Sequence, residues 1–79
     1  MQVVLFARLR ELAGAARIEL ELERGADAAD CFGRLADERP ALAPLRDALL
    51  VAVNDRYASW DHRLADGDEV VFLPPVSGG

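Results

Sequence analysis

The chain has 79 residues, 52% of them apolar, and carries a formal net charge of −5. That length holds one domain with one small core, and so apolar a chain is not a disordered one. The acidic balance excludes nucleic acid and anionic membrane surfaces, which select basic proteins, and suits basic protein partners instead.

Residues Val3 to Ala7 form a continuous apolar run and predict a strand buried on both faces. Leu9 to Ala13 fits a helical turn that Gly14 ends. From Arg17 to Glu23 the pattern alternates, with Ile18, Leu20 and Leu22 on one side and Glu19, Glu21 and Glu23 on the other. This predicts a strand with one wet face, paired to the first as a wide hairpin. Asp27 has the chemistry of a helix N-cap, and Asp30 lies near the positive end of the helix dipole. Ala28, Cys31, Phe32 and Leu35 then recur at helical spacing, and Pro40 ends a helix expected over 28–38.

An irregular connection that has room for a helical turn is expected from Ala41 to Ala48, followed by a third strand over Leu49 to Val53. Asn54-Asp55 is a turn, Tyr57 to Trp60 a short edge strand, and Asp66-Gly67 a turn before the last strand, Glu69 to Leu73. The order β, β, α, β, β, β predicts an α+β domain, with a mixed sheet and one main helix packed across one face. The first and last strands fit as a parallel pair in its middle. With Val3, Leu5, Val70 and Phe72 toward the helix, alternation turns Val4, Phe6, Val71 and Leu73 to the open face. Phe6, Val71 and Leu73, with Tyr57 near the edge, then form an exposed apolar patch close to Pro74 and Pro75. These six residues are the expected partner-binding surface.

The ending Pro74-Pro75-Val76-Ser77-Gly78-Gly79 is the stretch that the domain serves. Proline has no N–H and a fixed φ, so the two prolines end the sheet ladder and send the chain out extended. Residues 1–75 are expected to make the domain and 76–79 a flexible tail. Glycine lacks Cβ, so Gly78 and Gly79 fit a slot too narrow for other residues, with an uncrowded carboxylate at the end. Such a tail suits a substrate for another enzyme's active site.

Val4-Leu5-Phe6-Ala7-Arg8-Leu9-Arg10-Glu11-Leu12-Ala13-Gly14 resembles the opening of the small subunits of molybdopterin synthase. Val51-Ala52-Val53-Asn54 and Leu64-Ala65-Asp66-Gly67-Asp68-Glu69-Val70 resemble their middle, and Phe72 to Gly79 their ending. The resemblance weakens from about Arg24 to Leu49. It implies a β-grasp, ubiquitin-like fold and a sulfur-carrier mechanism. An adenylating, E1-like enzyme, which binds the ATP and Mg²⁺, activates the Gly79 carboxylate, and a sulfur donor protein converts it to a thiocarboxylate. The tail of Val76, Ser77 and Gly78 then enters the large subunit. There the sulfur passes to cyclic pyranopterin monophosphate to build the dithiolene of the molybdenum cofactor. The resemblance implies two small and two large subunits, no cofactor held by this chain, and an enzymatic role only as the non-catalytic, sulfur-donating subunit.

Other destinations for the same tail are thiamine thiazole synthesis or attachment to lysines as a modifier. A reading of another class is a β-grasp interaction module whose terminus does no chemistry. No catalytic constellation is visible in the sequence. Ser77 has no neighbouring base and reads as a small polar tail residue. Cys31, on the apolar stripe, reads as core rather than as a sulfur carrier. The single histidine, His62, follows Asp61 and reads as loop structure; Arg8 and Arg10 read as solvated charge. No apolar run approaches the ~20 residues of a membrane span. One cysteine makes no internal disulfide and no leader pattern opens the chain, so a cytoplasmic protein is expected.

Overall fold

The computed structural model describes residues 1–75. Eight elements follow in order: β1 (Gln2–Leu5), α1 (Ala7–Ala13), β2 (Arg17–Glu19), α2 (Ala28–Glu38), a 3₁₀ helix (Pro40–Ala48), β3 (Leu50–Val53), β4 (Arg56–Ala58) and β5 (Glu69–Leu73). The five strands form one sheet in the order β2-β1-β5-β3-β4. β1 and β5 are its parallel centre, and the other pairs are antiparallel. The helices cover one face, which is the expected α+β layout.

The core lies between that face and α2. Val3, Leu5, Val51, Val70 and Phe72 contribute from the strands, and Ala28, Cys31, Phe32 and Leu35 from the helix. Burying each large apolar side chain is worth about 1.5–3 kcal/mol. Phe32 meets Phe72 edge-on with ring centroids 5.1 Å apart, and Trp60 stacks on Phe72 at 5.6 Å. Arg46 of the 3₁₀ helix closes this cluster from outside, its guanidinium carbon 4.3 Å from the centroid of the indole. A guanidinium over an aromatic face is favourable and needs no counter-charge.

α2 occupies the expected 28–38, and its start is fully tied down. The Asp27 carboxylate accepts from the Asp30 N–H at 2.8 Å, and the Asp30 carboxylate accepts from the Asp27 N–H at 3.0 Å. The Ala28 and Ala29 N–H groups donate to the carbonyls of His62 and Trp60. The orphan donors of the first turn are thus satisfied by the capping box and by the 60–64 segment.

Several expected boundaries move. β1 ends at Leu5 rather than Ala7, and α1 begins at Ala7 rather than Leu9. The Phe6 carbonyl accepts from both the Leu9 and Arg10 N–H groups, so the backbone there serves the helix rather than a sheet ladder. Gly14 ends α1 as expected, in the left-handed conformation at φ 78°. β2 stops at Glu19 instead of Glu23, because the ladder with β1 runs out: the Leu20 N–H makes the last bond, to the Met1 carbonyl. The helical turn allowed between α2 and β3 extends over the whole connection as a 3₁₀ helix, Pro40–Ala48, with Pro40 in its first turn and Leu42 buried. β3 starts at Leu50 rather than Leu49. β4 covers 56–58 rather than 57–60, because Trp60 turns inward to the core.

Candidate functional site

The strand register determines what the uncovered face of the sheet presents. Val4 pairs with Val71, Val71 with Ala52 and Ala52 with Tyr57, so these four form one row across the sheet. Leu73 and Leu50 pair in the next row toward the C-terminal end of β5. Leu5 pairs with Phe72, which places Phe6 level with Leu73. Paired residues project to the same side of a sheet, so Phe6, Leu73 and Leu50 share the face with the row beneath them.

This end of the face is apolar and accessible. Phe6 is 56% exposed, Tyr57 69% and Leu50 40%, while Val71 and Leu73 are half-buried and Pro74 and Pro75 exposed. Of the expected residues, Phe6, Leu73, Pro74 and Pro75 lie at the end of β5, Val71 lies one row back, and Tyr57 is level with Val71 on the edge strand β4, two strands away. Sequence reasoning missed Leu50. The signal was available: Val51 and Val53 face the core, so alternation turns Leu50 and Ala52 outward. The run over 49–53 is apolar on both faces, which hid that parity.

The other end of the same face is charged. Glu19 and Glu69 flank Gln2, and the Arg17 guanidinium donates to the Gln2 side chain at 3.0 Å and lies 4.0 Å from the Glu69 carboxylate. A partner meeting this face finds an apolar platform where β5 ends and a polar rim where it begins. Contiguous exposed apolar surface of this kind marks interaction sites.

Phe6 is held out by its backbone. It is the N-cap of α1 with extended φ and ψ, and Ala7 follows with φ 48°, in the left-handed region. For a residue with a Cβ that conformation costs about 1–2 kcal/mol. It reverses the chain from strand into helix within one residue, leaving the Phe6 ring at the sheet's end.

The remaining candidates are not part of this face. Cys31 is fully buried on the core side of α2, and burial pushes its thiol up to about 11. It remains a protonated thiol at neutral pH and is no accessible nucleophile. His62 is exposed in the 60–64 segment, where its carbonyl serves α2. Arg8 and Arg10 are exposed on α1. A groove of about 580 Å³ opens at the other end of the sheet between Leu20, Leu22, Glu23 and Leu64, away from the end of β5. Among the described residues no group of three or more histidines, cysteines and carboxylates could hold a metal ion, and no helix is long and apolar enough to cross a membrane. Val76, Ser77, Gly78 and Gly79 lie outside the described residues.

A mixed five-stranded sheet with parallel first and last strands at its centre and a helix across one face is the ubiquitin-like β-grasp fold. The chain matches the model of the ThiS family over residues 3–79 and belongs to that family. It is 41% identical over 80 residues to the molybdopterin synthase sulfur carrier subunit of Escherichia coli, covering all of this chain and 99% of that protein. The protein of the same description from Arabidopsis thaliana is 33% identical over 79 residues, covering all of this chain and 82% of that protein. The crystal structure of SAMP1 from Haloferax volcanii superposes with a TM-score of 0.87 at 32% identity, covering 99% of this chain and 97% of that one.

Proposed function

We propose that this chain is the sulfur-carrier subunit of a molybdopterin synthase. The observation that carries the reading is similarity over the whole chain to carrier subunits of that enzyme, ending in Pro74-Pro75-Val76-Ser77-Gly78-Gly79 directly after β5. In this role the folded body, residues 1–75, is a handle, and 76–79 carry the chemistry into sites owned by other proteins.

A carboxylate is a poor electrophile until one oxygen becomes a leaving group. The Gly79 carboxylate attacks the α-phosphorus of ATP in an E1-like adenylating enzyme, which holds the nucleotide and Mg²⁺; pyrophosphate leaves. The terminal sulfur of a donor protein's persulfide then attacks the acyl carbon and AMP departs with its electron pair. A second thiol cleaves the resulting acyl disulfide, forming a disulfide with the donor sulfur and leaving a thiocarboxylate on Gly79. Delivered to the large subunit, that sulfur is a nucleophile on a tether and gains the proximity advantage of an intramolecular step. It passes to cyclic pyranopterin monophosphate. Val76 and Ser77 supply no general base, so the acid–base steps fall to the large subunit, and the chain takes part as a sulfur donor rather than as a catalyst. The apolar platform of Phe6, Leu50, Tyr57, Val71 and Leu73 is the surface that docks beside the active site.

Intact-mass spectrometry tests this reading. With the adenylating enzyme, ATP and a sulfur source, the chain should exchange one oxygen for sulfur at Gly79. Removing Gly79, or adding one residue after it, should abolish the exchange without unfolding the domain; full activity of the extended chain would refute the mechanism. A second reading is favoured by the likeness to SAMP1, a small archaeal modifier protein: the activated carboxyl is joined to lysines of other proteins. Copurification with a pterin-binding large subunit, as against recovery of isopeptide conjugates, separates the two.

A further inference from the structure

All nine side chains that carry a permanent positive charge are arginines; lysine does not occur. We propose that this composition keeps the activated carrier from acylating itself: the chain donates the Gly79 acyl group and offers no side-chain amine to receive one. The inference rests on the carrier reading above.

The chemistry is direct. In an acyl adenylate the Gly79 carbonyl carbon is open to any unprotonated amine. An amine nitrogen forms the C–N bond of an amide, the C–O bond to AMP breaks, AMP leaves with its electron pair, and the spare proton goes to solvent. Lysine supplies such an amine whenever a fraction of it is deprotonated. Arginine does not, because its guanidinium stays protonated and its lone pairs are delocalised.

The structure separates this reason from a geometric one. Some arginines do what lysine does poorly: Arg63 donates to the Gly25 carbonyl at 2.7 Å, and Arg46 lies over Trp60. Arg8, Arg10, Arg24 and Arg56 are exposed and make no hydrogen bond or ion pair among the described residues. At these positions a lysine would serve charge and solubility equally well. Arg8 is the most exposed to the hazard. It follows Phe6 by two residues, and Phe6 is level with Leu73, so it stands at the end of the sheet where β5 gives way to the tail. The amine of Met1 lies at the opposite end of β1, 3.7 Å from the Glu19 carboxylate. A carrier built this way accumulates as thiocarboxylate without losing copies to dead-end amides. If it modifies other proteins, it adds as single units, because no copy presents a lysine to the next.

Arg8→Lys tests this near the tail, and Arg24→Lys tests it between molecules. Each variant and the parent chain are activated in two ways: with the adenylating enzyme and ATP but no sulfur source, and as a Gly79 thioester made by intein cleavage. Intact mass reads an internal amide as the loss of one water from the free acid, and a linked dimer as two chains less one water. The parent should give neither product, and Arg8→Lys should form the internal amide at least about tenfold faster, as expected for a tethered nucleophile. An equal amide yield from the parent, or no amide from either variant in both arms, overturns the proposal. Absence of ATP–pyrophosphate exchange in the enzymatic arm would refute the carrier reading instead, while the thioester arm still decides this one.

Discussion

Asn54→Ala offers a quantitative test of how two separated sequence motifs hold each other. Asn54 and Asp55 form the two-residue turn between β3 and β4, both left-handed at φ 50° and 69°. The Asn54 amide donates to one Asp68 carboxylate oxygen at 2.8 Å, and its side-chain oxygen accepts from the Glu69 N–H at 3.0 Å. The other Asp68 oxygen accepts from the Ala65 N–H at 2.8 Å. Substitution by alanine removes two side-chain hydrogen bonds, worth about 1 kcal/mol each near the surface, and places a Cβ without local hydrogen bonding at positive φ, for about 1 kcal/mol more. The expected loss is about 2–3 kcal/mol, a large share of the roughly 5–15 kcal/mol of a small domain. Asn54→Gly loses the bonds but not the backbone tolerance and should cost about 1 kcal/mol less than the alanine variant. Urea titration followed by the fluorescence of Trp60, the single tryptophan, reads both: the midpoint should fall with the slope unchanged. A loss below about 0.5 kcal/mol for Asn54→Ala, or equal losses for alanine and glycine, would refute the reasoning.

Other perturbations have equally definite outcomes. The hydrogen bonds from the Ala65 N–H and the Asn54 side chain hold the Asp68 carboxyl below its ordinary 3.8. Its contribution is therefore complete above that value and lost as pH falls through the lower native one; acid unfolding of Asn54→Ala should show a shallower dependence there. Cys31 shows the opposite sign. The unfolded thiol releases its proton near 9.0 while the buried one holds it to about 11, so stability should decline across that interval and Cys31→Ala should remove the decline. Cys31→Ala should also keep full thiocarboxylate formation, read by intact mass, while Cys31→Ser should lower the urea midpoint further by burying an unpartnered hydroxyl, for about 1–3 kcal/mol. On the open face, Phe6→Ala and Leu50→Ala should leave stability within about 0.5 kcal/mol. Titration calorimetry against the large subunit should show Phe6→Ala binding weaker by about 1.5–3 kcal/mol; unchanged affinity would remove the apolar platform from the interface.

Most of the architecture was legible because local signals agreed with the global fold. The stripe of Ala28, Cys31, Phe32 and Leu35 between Asp27 and Pro40 marked α2 to the residue, since cap, period and stop all point the same way. Glu69–Leu73 was equally plain after the Asp66-Gly67 turn. Boundaries failed where pattern and pairing disagree. Alternation over 17–23 continues past the point where β1 has residues left to pair, so β2 stops at Glu19. The apolar run over 3–7 hides the reversal at Ala7, which depends on the Phe6 carbonyl accepting from the first turn of α1.

The chain's own order of residues determined which elements occur and in what sequence, and the acidic, lysine-free composition, because these depend on periodicity and side-chain chemistry within short windows. Tertiary structure alone decided which outward residues become neighbours. Only pairing β5 between β1 and β3 sets Leu50 against Leu73 and Phe6 level with both, and only the approach of two turns joins Asn54 to Asp68. Register is a property of chain segments meeting across the sheet, and no single segment contains it.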